Sequence, residues 1–313
     1  MAHDTRQFIF PPPDALIIAP TDSMTEAVRK ALLGYLQEML AHEPIARAGD
    51  DPEGVHKMRV ALRRMRSLYR VVGKYLPESY GKPYPALLKR TARALGSVRD
   101  LDVLGERTAE YIRKALDGEA QPLRPLLAMH AGELRVARES MLRWLDDAEY
   151  QQFVFDYHSL LSQSLTLEAN PRRTVRLELP TVVYKRHRAM RRDGAETHQH
   201  DVEELHQLRI QAKRLRYTLD AFADVLGETA EQVVEELKPF QDHLGRVQDA
   251  VVAIEHISAA LEVASPDERA PLHAYQDACK SELSHLLATY PAAWRAFNRY
   301  ETRRWLALAI SRL

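Results

Sequence analysis

The chain holds a single cysteine, Cys279, among 313 residues. An intrachain disulfide is therefore impossible, and the sequence fits a reducing compartment better than a disulfide-stapled one. Its neighbours Asp277, Lys280 and Glu282 do not suggest an activated thiol, so Cys279 is expected simply to pack. Glycine is scarce, at 12 residues, while Leu, Ala, Arg and Glu abound, a balance that suits helices better than sheets. The apolar stretch Phe8-Ile9-Phe10 runs straight into Pro11-Pro12-Pro13. It is too short and too broken for a membrane span or a signal segment, so a cytoplasmic location is the default. Net charge is missing too, because 44 basic side chains balance 44 acidic ones. Bulk charge gives no reason to expect an anionic partner; only local clustering can. No Gly-rich phosphate loop, nucleophile elbow or CxxC pair occurs.

What is present is helical periodicity. A tail, residues 1–20, precedes the cap cluster Thr21-Asp22-Ser23 and a helix expected from about residue 24 to the approach of Pro44. A second helix follows Asp50-Asp51-Pro52, with Val55, Met58, Leu62, Met65, Tyr69 and Val72 on one buried stripe. A long third helix spans Tyr84 to Leu116, and one or two more fill 123–167. Residues 168–180 look like a linker: Asn170-Pro171 opens it, Pro180 closes it, and Thr174, Val175 and Thr181 are poor helix formers. Helical signals resume over 181–313, which gives two helical halves, 21–167 and 181–313.

The halves are related by an internal repeat. Val55-His56-Lys57-Met58-Arg59-Val60-Ala61-Leu62-Arg63-Arg64-Met65-Arg66 recurs as Leu205-His206-Gln207-Leu208-Arg209-Ile210-Gln211-Ala212-Lys213-Arg214-Leu215-Arg216. Downstream, Leu95-Gly96-Ser97-Val98-Arg99-Asp100 recurs as Leu244-Gly245-Arg246-Val247-Gln248-Asp249. Two ordered matches at nearly one offset point to two copies of one helical unit, facing each other about a pseudo-twofold axis.

On a helical wheel His56, Arg59, Arg63 and Arg66 fall on one narrow arc beside the apolar face, and Arg70 extends it. His206, Arg209, Lys213 and Arg216 repeat the arc, although Asp220 stands where the first copy has Arg70. Nothing acidic lies within 55–70 to relieve the repulsion, which costs about a few tenths of a kcal/mol per exposed pair. Such a stripe calls for an external anion or for carboxylates from another helix, the ordinary fate of surface arginines. Arginine's rigid fork suits phosphate, each charge-assisted bond contributing roughly 1.5–3 kcal/mol. Two facing stripes would form a channel matched to an extended anion. Lys89 and Arg93, and Lys185, Arg188 and Arg192, are further candidates to line it. Asp100 and Asp249 would orient an arginine or histidine, or else form ordinary salt bridges. Gly96 and Gly245, mid-helix, suggest close helix packing.

Thirteen histidines invite a search for a metal site. His198, His200, Asp201, Glu203 and Glu204 crowd ahead of His206, but the HExxH spacing is absent and the first half has no counterpart. A polar lead-in to a helix is the preferred reading, and no metal or other cofactor is expected. The rival reading is a metal-dependent phosphohydrolase using His200 and Asp201.

The pattern His-x-x-Arg-(Val/Ile)-x-x-(Lys/Arg)-Arg-x-Arg, followed by Leu-Gly-x-Val-x-Asp and repeated, closely resembles the CHAD family, the conserved histidine α-helical domains. The resemblance runs from about residue 21 onward. Arg99-Asp100-Leu101-Asp102-Val103 and Lys213-Arg214-Leu215-Arg216-Tyr217 are similar to two family signatures, and His56 and His206 match the histidine for which the family is named. The resemblance implies an all-α fold of two four-helix bundles related by pseudo-twofold symmetry. It also implies a basic central groove that binds inorganic polyphosphate, and association with polyphosphate granules. The ligands it implies are His56, Arg59, Arg63, Arg64 and Arg66, with His206, Arg209, Lys213, Arg214 and Arg216. Arg64 and Arg214 lie off the wheel's main arc. The family is often fused to a triphosphate-processing CYTH domain, for which this chain leaves no room, so no catalysis is expected. Nucleic acid is a poorer partner, since the stripe lacks interleaved aromatics.

Overall fold

The computed structural model describes residues 8–119, 121–163, 173–198 and 201–313. Its described residues form eleven α-helices: α1 (Met24–Ala48), α2 (Pro52–Val72), α3 (Tyr84–Ala115), α4 (Arg124–Asp146), α5 (Ala148–Ser162), α6 (Val175–Glu196), α7 (Val202–Ala221), α8 (Ala223–Leu226), α9 (Glu228–Val263), α10 (Pro266–Phe297) and α11 (Tyr300–Ser311). The protein is all-α. The two cores of the repeat are α2 and α7, and the downstream match lies in α3 and α9.

Local signals explain most boundaries. Ser23 caps α1 by accepting from the Glu26 N–H, and Gly49 ends that helix in the left-handed region at φ +83°. Asp51 caps α2 and Asp201 caps α7, each through its carboxylate. These two caps stand 150 residues apart, the same offset as Val55 and Leu205. The stripe Val55, Met58, Leu62, Met65 and Val72 is buried, with Tyr69 half-buried at its edge.

Two expected boundaries move. Helix α1 does not stop at Pro44 but runs on to Ala48. Burial of Glu43 and Ala46 holds its last turn: Glu43 bonds Arg47 at 2.8 Å and accepts from the Tyr150 hydroxyl at 2.6 Å. Of the expected linker 168–180, residues 168–172 lie outside the described residues, Arg173 and Thr174 lead into a helix, and residues 175–180 are helix rather than linker. Helix α6 starts at Val175 and passes through Pro180. The hydrogen bond that Pro180 forfeits is offset by burial of Val175, Leu179, Val182 and Val183, so tertiary packing overrides local propensity.

The helices pack around two apolar clusters. The larger unites α1, α2, α5, α6 and α7 with α11 and the first halves of α3 and α9. The smaller joins Leu104 and Ile112 of α3 and Leu126 of α4 to Ala253, Ile257, Leu272 and Cys279 of α9 and α10. Helices α2 and α7 touch each other, and so do α3 and α9. On α3 the larger cluster ends at Val98 and the smaller begins at Leu104; on α9 the break falls between Val247 and Ala253. The polar segments Arg99-Asp100 and Gln248-Asp249 sit in those breaks. Cys279 is buried, as a packing residue should be.

The buried carboxylate Glu43 anchors α1 to α5, and Glu43→Ala would leave the Tyr150 hydroxyl without its acceptor. We expect a loss of about 1–3 kcal/mol in urea unfolding, read as a lower midpoint at unchanged slope.

Candidate functional site

A cavity of about 390 Å³ opens between the two apolar clusters. Helix α2 contributes His56, Arg59 and Arg63, and α7 contributes His206, Arg209 and Lys213. Helix α3 adds Arg99, Asp100 and Arg107, and α9 adds Gln248 and Asp249. Six cations and two histidines thus face two carboxylates across a space walled elsewhere by Val103, Leu104 and Val252.

The two carboxylates do not neutralise this charge. Asp100 accepts from Arg59 Nη2 at 2.8 Å and orients it. Arg99 turns to Glu106 at 2.8 Å, and Arg107 pairs with Glu282. Arg63, Arg209 and Lys213 have no ion pair among the described residues. The Nε atoms of Arg63, Arg107 and Arg209 are buried without any hydrogen-bond acceptor there. A buried donor left unsatisfied costs about 1–3 kcal/mol, more when charged, so these arginines carry an uncompensated cost in the free protein.

Acidities record the strain. Burial, then the like charges of Arg209, Arg63 and Arg59, push Lys213 down from its ordinary 10.5 to about 6. Burial and neighbouring guanidinium groups also lower Arg59 and Arg209, partly offset by Asp100 and Asp249 respectively. Burial raises Asp249, against the pull of Arg209, Arg107 and Lys213. The histidines differ. His206 donates from Nδ1 to Gln248 Oε1 at 2.8 Å. His56 faces Arg99 at the matching place, and burial together with that cation lowers its pKa.

Gly96 has a different reason from the helix packing expected. A Cβ there would overlap the Arg59 guanidinium, whereas at Gly245 it would only touch Arg209 Nη2 at 3.4 Å. The glycine makes room for a cavity cation.

Of the ten residues the stripe and the resemblance single out, His56, Arg59, Arg63, His206, Arg209 and Lys213 meet in this cavity. The other four lie elsewhere. Arg64 is held by Glu38 at 3.0 Å and lies over the Tyr35 ring at 5.5 Å. Arg216 bonds Gln241 at 3.1 Å and pairs with Asp220 at 3.5 Å. Arg66 is lowered by burial and by Arg70 and Arg59, continuing the stripe away from the cavity. Arg214 stands beside Arg70 and Arg186. None of the five further candidates lines the central cavity. Lys185 lines a separate space of about 260 Å³, and Arg93 another of about 420 Å³ beside Trp144. Arg192 pairs with Asp193 at 2.8 Å, while Lys89 and Arg188 are exposed. Arg99 belongs to the downstream match, whereas Arg107 lies outside both motifs. The heptad step from Asp100 to Arg107 was the available signal for the second of them.

Near the start of α7, His200 lies outside the described residues. Asp201 is engaged as the helix cap, and His198 lies 3.1 Å from Glu204. Among the described residues no group of three or more His, Cys, Asp or Glu is placed to hold a metal ion.

Helical composition, the repeated histidine motif and a cationic cavity between the copies define the class of fold. The CHAD domain family model matches residues 30–258, and the chain belongs to that family. It is 30% identical over 250 residues to Uncharacterized protein MT2285 of Mycobacterium tuberculosis (strain CDC 1551 / Oshkosh). That match covers 74% of this chain but 45% of the relative, so the chain spans about half the length of the curated relatives it matches. Among solved structures, the CHAD domain from the plant Ricinus communis superposes with a TM-score of 0.74 at 22% identity, covering 89% of this chain and 94% of that one. PptA from Streptomyces chartreusis gives 0.71 at 15% identity, covering 88% and 100%. These structures share the fold.

Lys213 is more costly folded than unfolded. Between pH 6 and its ordinary 10.5 the unfolded chain holds a proton that the folded chain lacks. Its contribution therefore makes stability rise with pH across that window, with the full penalty present below it. Lys213→Met should stabilise the free protein by about 0.5–2 kcal/mol. The gain, measured by urea unfolding at pH 6 and pH 9, should be larger at pH 6.

Proposed function

We propose that the chain binds inorganic polyphosphate, a long linear polyanion, in a basic groove between two pseudo-twofold-related helical bundles, and does no chemistry on it. The observation that carries this reading is the set of half-buried basic groups around the central cavity, of which Arg63, Arg209 and Lys213 have no ion pair among the described residues. A phosphate chain supplies several acceptors per unit, in the fork geometry that guanidinium groups prefer. Family membership supports the same ligand class.

The backbone supports the symmetry. Met24 N–H donates to Arg173 O and Val175 N–H to Asp22 O, both at 2.9 Å. Swapping the halves exchanges these two bonds, because Ser23 and Thr174 are the respective helix caps. An axis through this bridge sets α2 against α7 and brings the two cation stripes face to face.

Other partners fit less well. No Phe, Tyr or Trp lines the cavity, so it offers no stacking platform for bases. Asp201 is already engaged as a helix cap and Glu204 as the acceptor of the His198 N–H, which does not favour the phosphohydrolase reading. Among the described residues no helix is long and apolar enough to cross a membrane. Attachment to polyphosphate granules follows naturally from affinity for the polymer.

Reversing one cation on each stripe tests the reading. Arg63→Glu combined with Lys213→Glu should weaken long-chain polyphosphate binding by at least about 100-fold, as two charge-assisted contacts become repulsive. The helical circular dichroism should be unchanged. Retained affinity in a folded double variant would rule out the groove. Because bound phosphate would restore the Lys213 proton, binding at pH 7.5 should also take up close to one proton. Titration calorimetry in buffers of different ionisation enthalpy reads this directly.

A further inference from the structure

The cation track does not end at the central cavity, and it does not continue equally in both directions. Beyond Arg66, which feels both Arg59 and Arg70, the space of about 260 Å³ is lined by Arg70, Lys74, Lys185 and Arg186, and no carboxylate lines it. Arg214 of α7 stands close enough to Arg70 and Arg186 for burial and both charges to lower its pKa. The Nε atoms of Arg186 and Arg214 are buried and have no acceptor among the described residues. Five cations from α2, α6, α7 and the turn after α2 therefore meet in a space that no carboxylate lines; of these, Lys74 feels a nearby carboxylate, that of Glu178, and lies over the Tyr75 ring at 4.7 Å.

The place related by the repeat is built oppositely. At the 150-residue offset of Val55 and Leu205, Arg70 corresponds to Asp220 and Lys74 to Asp224. At the 151-residue offset of Ser23 and Thr174, Arg186 corresponds to Tyr35 and Lys185 to Gly34. Only Arg214 keeps its charge, as Arg64, and that residue is held by Glu38 and attracted by Asp220. The Tyr35 hydroxyl is pushed up by burial and by Asp220, Glu38 and Asp224. One end of the α2–α7 contact thus presents five cations, and at the other Arg64, Arg216 and Lys238 stand among the carboxylates Asp220, Asp224 and Glu38.

We propose that a long phosphate polymer leaves the central cavity in one direction only, across the Arg70, Lys74, Lys185, Arg186 and Arg214 surface, while the Asp220 and Asp224 side, where cations and carboxylates are matched, offers it no excess positive charge. This rests on the reading of the central cavity as the polymer's main site, and makes that site polar despite its internal symmetry. From Arg59 to Arg70 the helix rises about 16 Å. A short phosphate chain held in the central cavity does not need the second surface, whereas a long one fills both.

The test compares tripolyphosphate with long-chain polyphosphate, each titrated at two salt concentrations into the full chain and into Arg70→Gln/Lys185→Gln. Both positions are exposed, so the variant should fold; Lys74→Gln/Lys185→Gln provides a second version, and thermal melting checks both. Long-chain affinity should fall by at least about tenfold and its salt slope by about two, one for each cation removed. Tripolyphosphate affinity should fall by less than about threefold, as befits screened charges at a distance. An equal fall for both ligands, or no fall for either, overturns the one-sided exit. If the unaltered chain binds neither ligand, the central-site reading fails as well; if it binds both and the variants lose nothing, only the exit fails.

Discussion

Mutual repulsion among half-buried cations is the constraint around which this protein is arranged. Arg59, Arg63 and Arg209 come from two helices in contact and repel one another, and burial together with their charges holds the Lys213 pKa down to about 6. No helix pair would adopt this approach for electrostatic reasons. It is imposed by two apolar clusters, one on each side, which bury Val98 and Val247 before the cavity and Leu104 and Ala253 after it. The core supplies the favourable free energy and the cavity consumes part of it, the usual relation between a scaffold and its strained site.

This division explains the uneven fate of the arginines. Those that could be neutralised internally are: Arg64 finds Glu38, and Arg216 finds Gln241 and Asp220. Of those facing the cavity, Arg59, Arg99 and Arg107 each have a carboxylate partner, whereas Arg63 and Arg209 have none among the described residues. Asp100 fixes the direction of Arg59, and Gln248 holds the His206 ring by a hydrogen bond at Nδ1, so both side chains stay aimed at the cavity. Zero net charge on the whole chain is compatible with this, because the carboxylates are spent elsewhere.

Much of the plan was legible in the primary structure. Repetition of the histidine and its 3/4-spaced cations identified α2 and α7 and six of the groups that meet in the cavity. The buried stripe of α2 was equally clear. What could not be read were properties that arise only when elements meet. Burial of Ala46 and of Val175 carries helices past Pro44 and through Pro180, against their local preference. Arg64 and Arg214 share one motif position, yet Glu38 claims the first and Arg186 opposes the second. Arg107 comes from outside both motifs and reaches the cavity because α3 is long. Gly96 turned out to accommodate a guanidinium group, which only the facing helix reveals.

The most direct test of the central claim is a titration of the purified chain with long-chain polyphosphate at two salt concentrations, with RNA at equal phosphate concentration as competitor. The account predicts tight binding that weakens steeply with salt as counterions are released, and that RNA displaces poorly. Absent binding, or equal binding of RNA, would contradict it, because the unrelieved cations would then be structural or a generic anion surface.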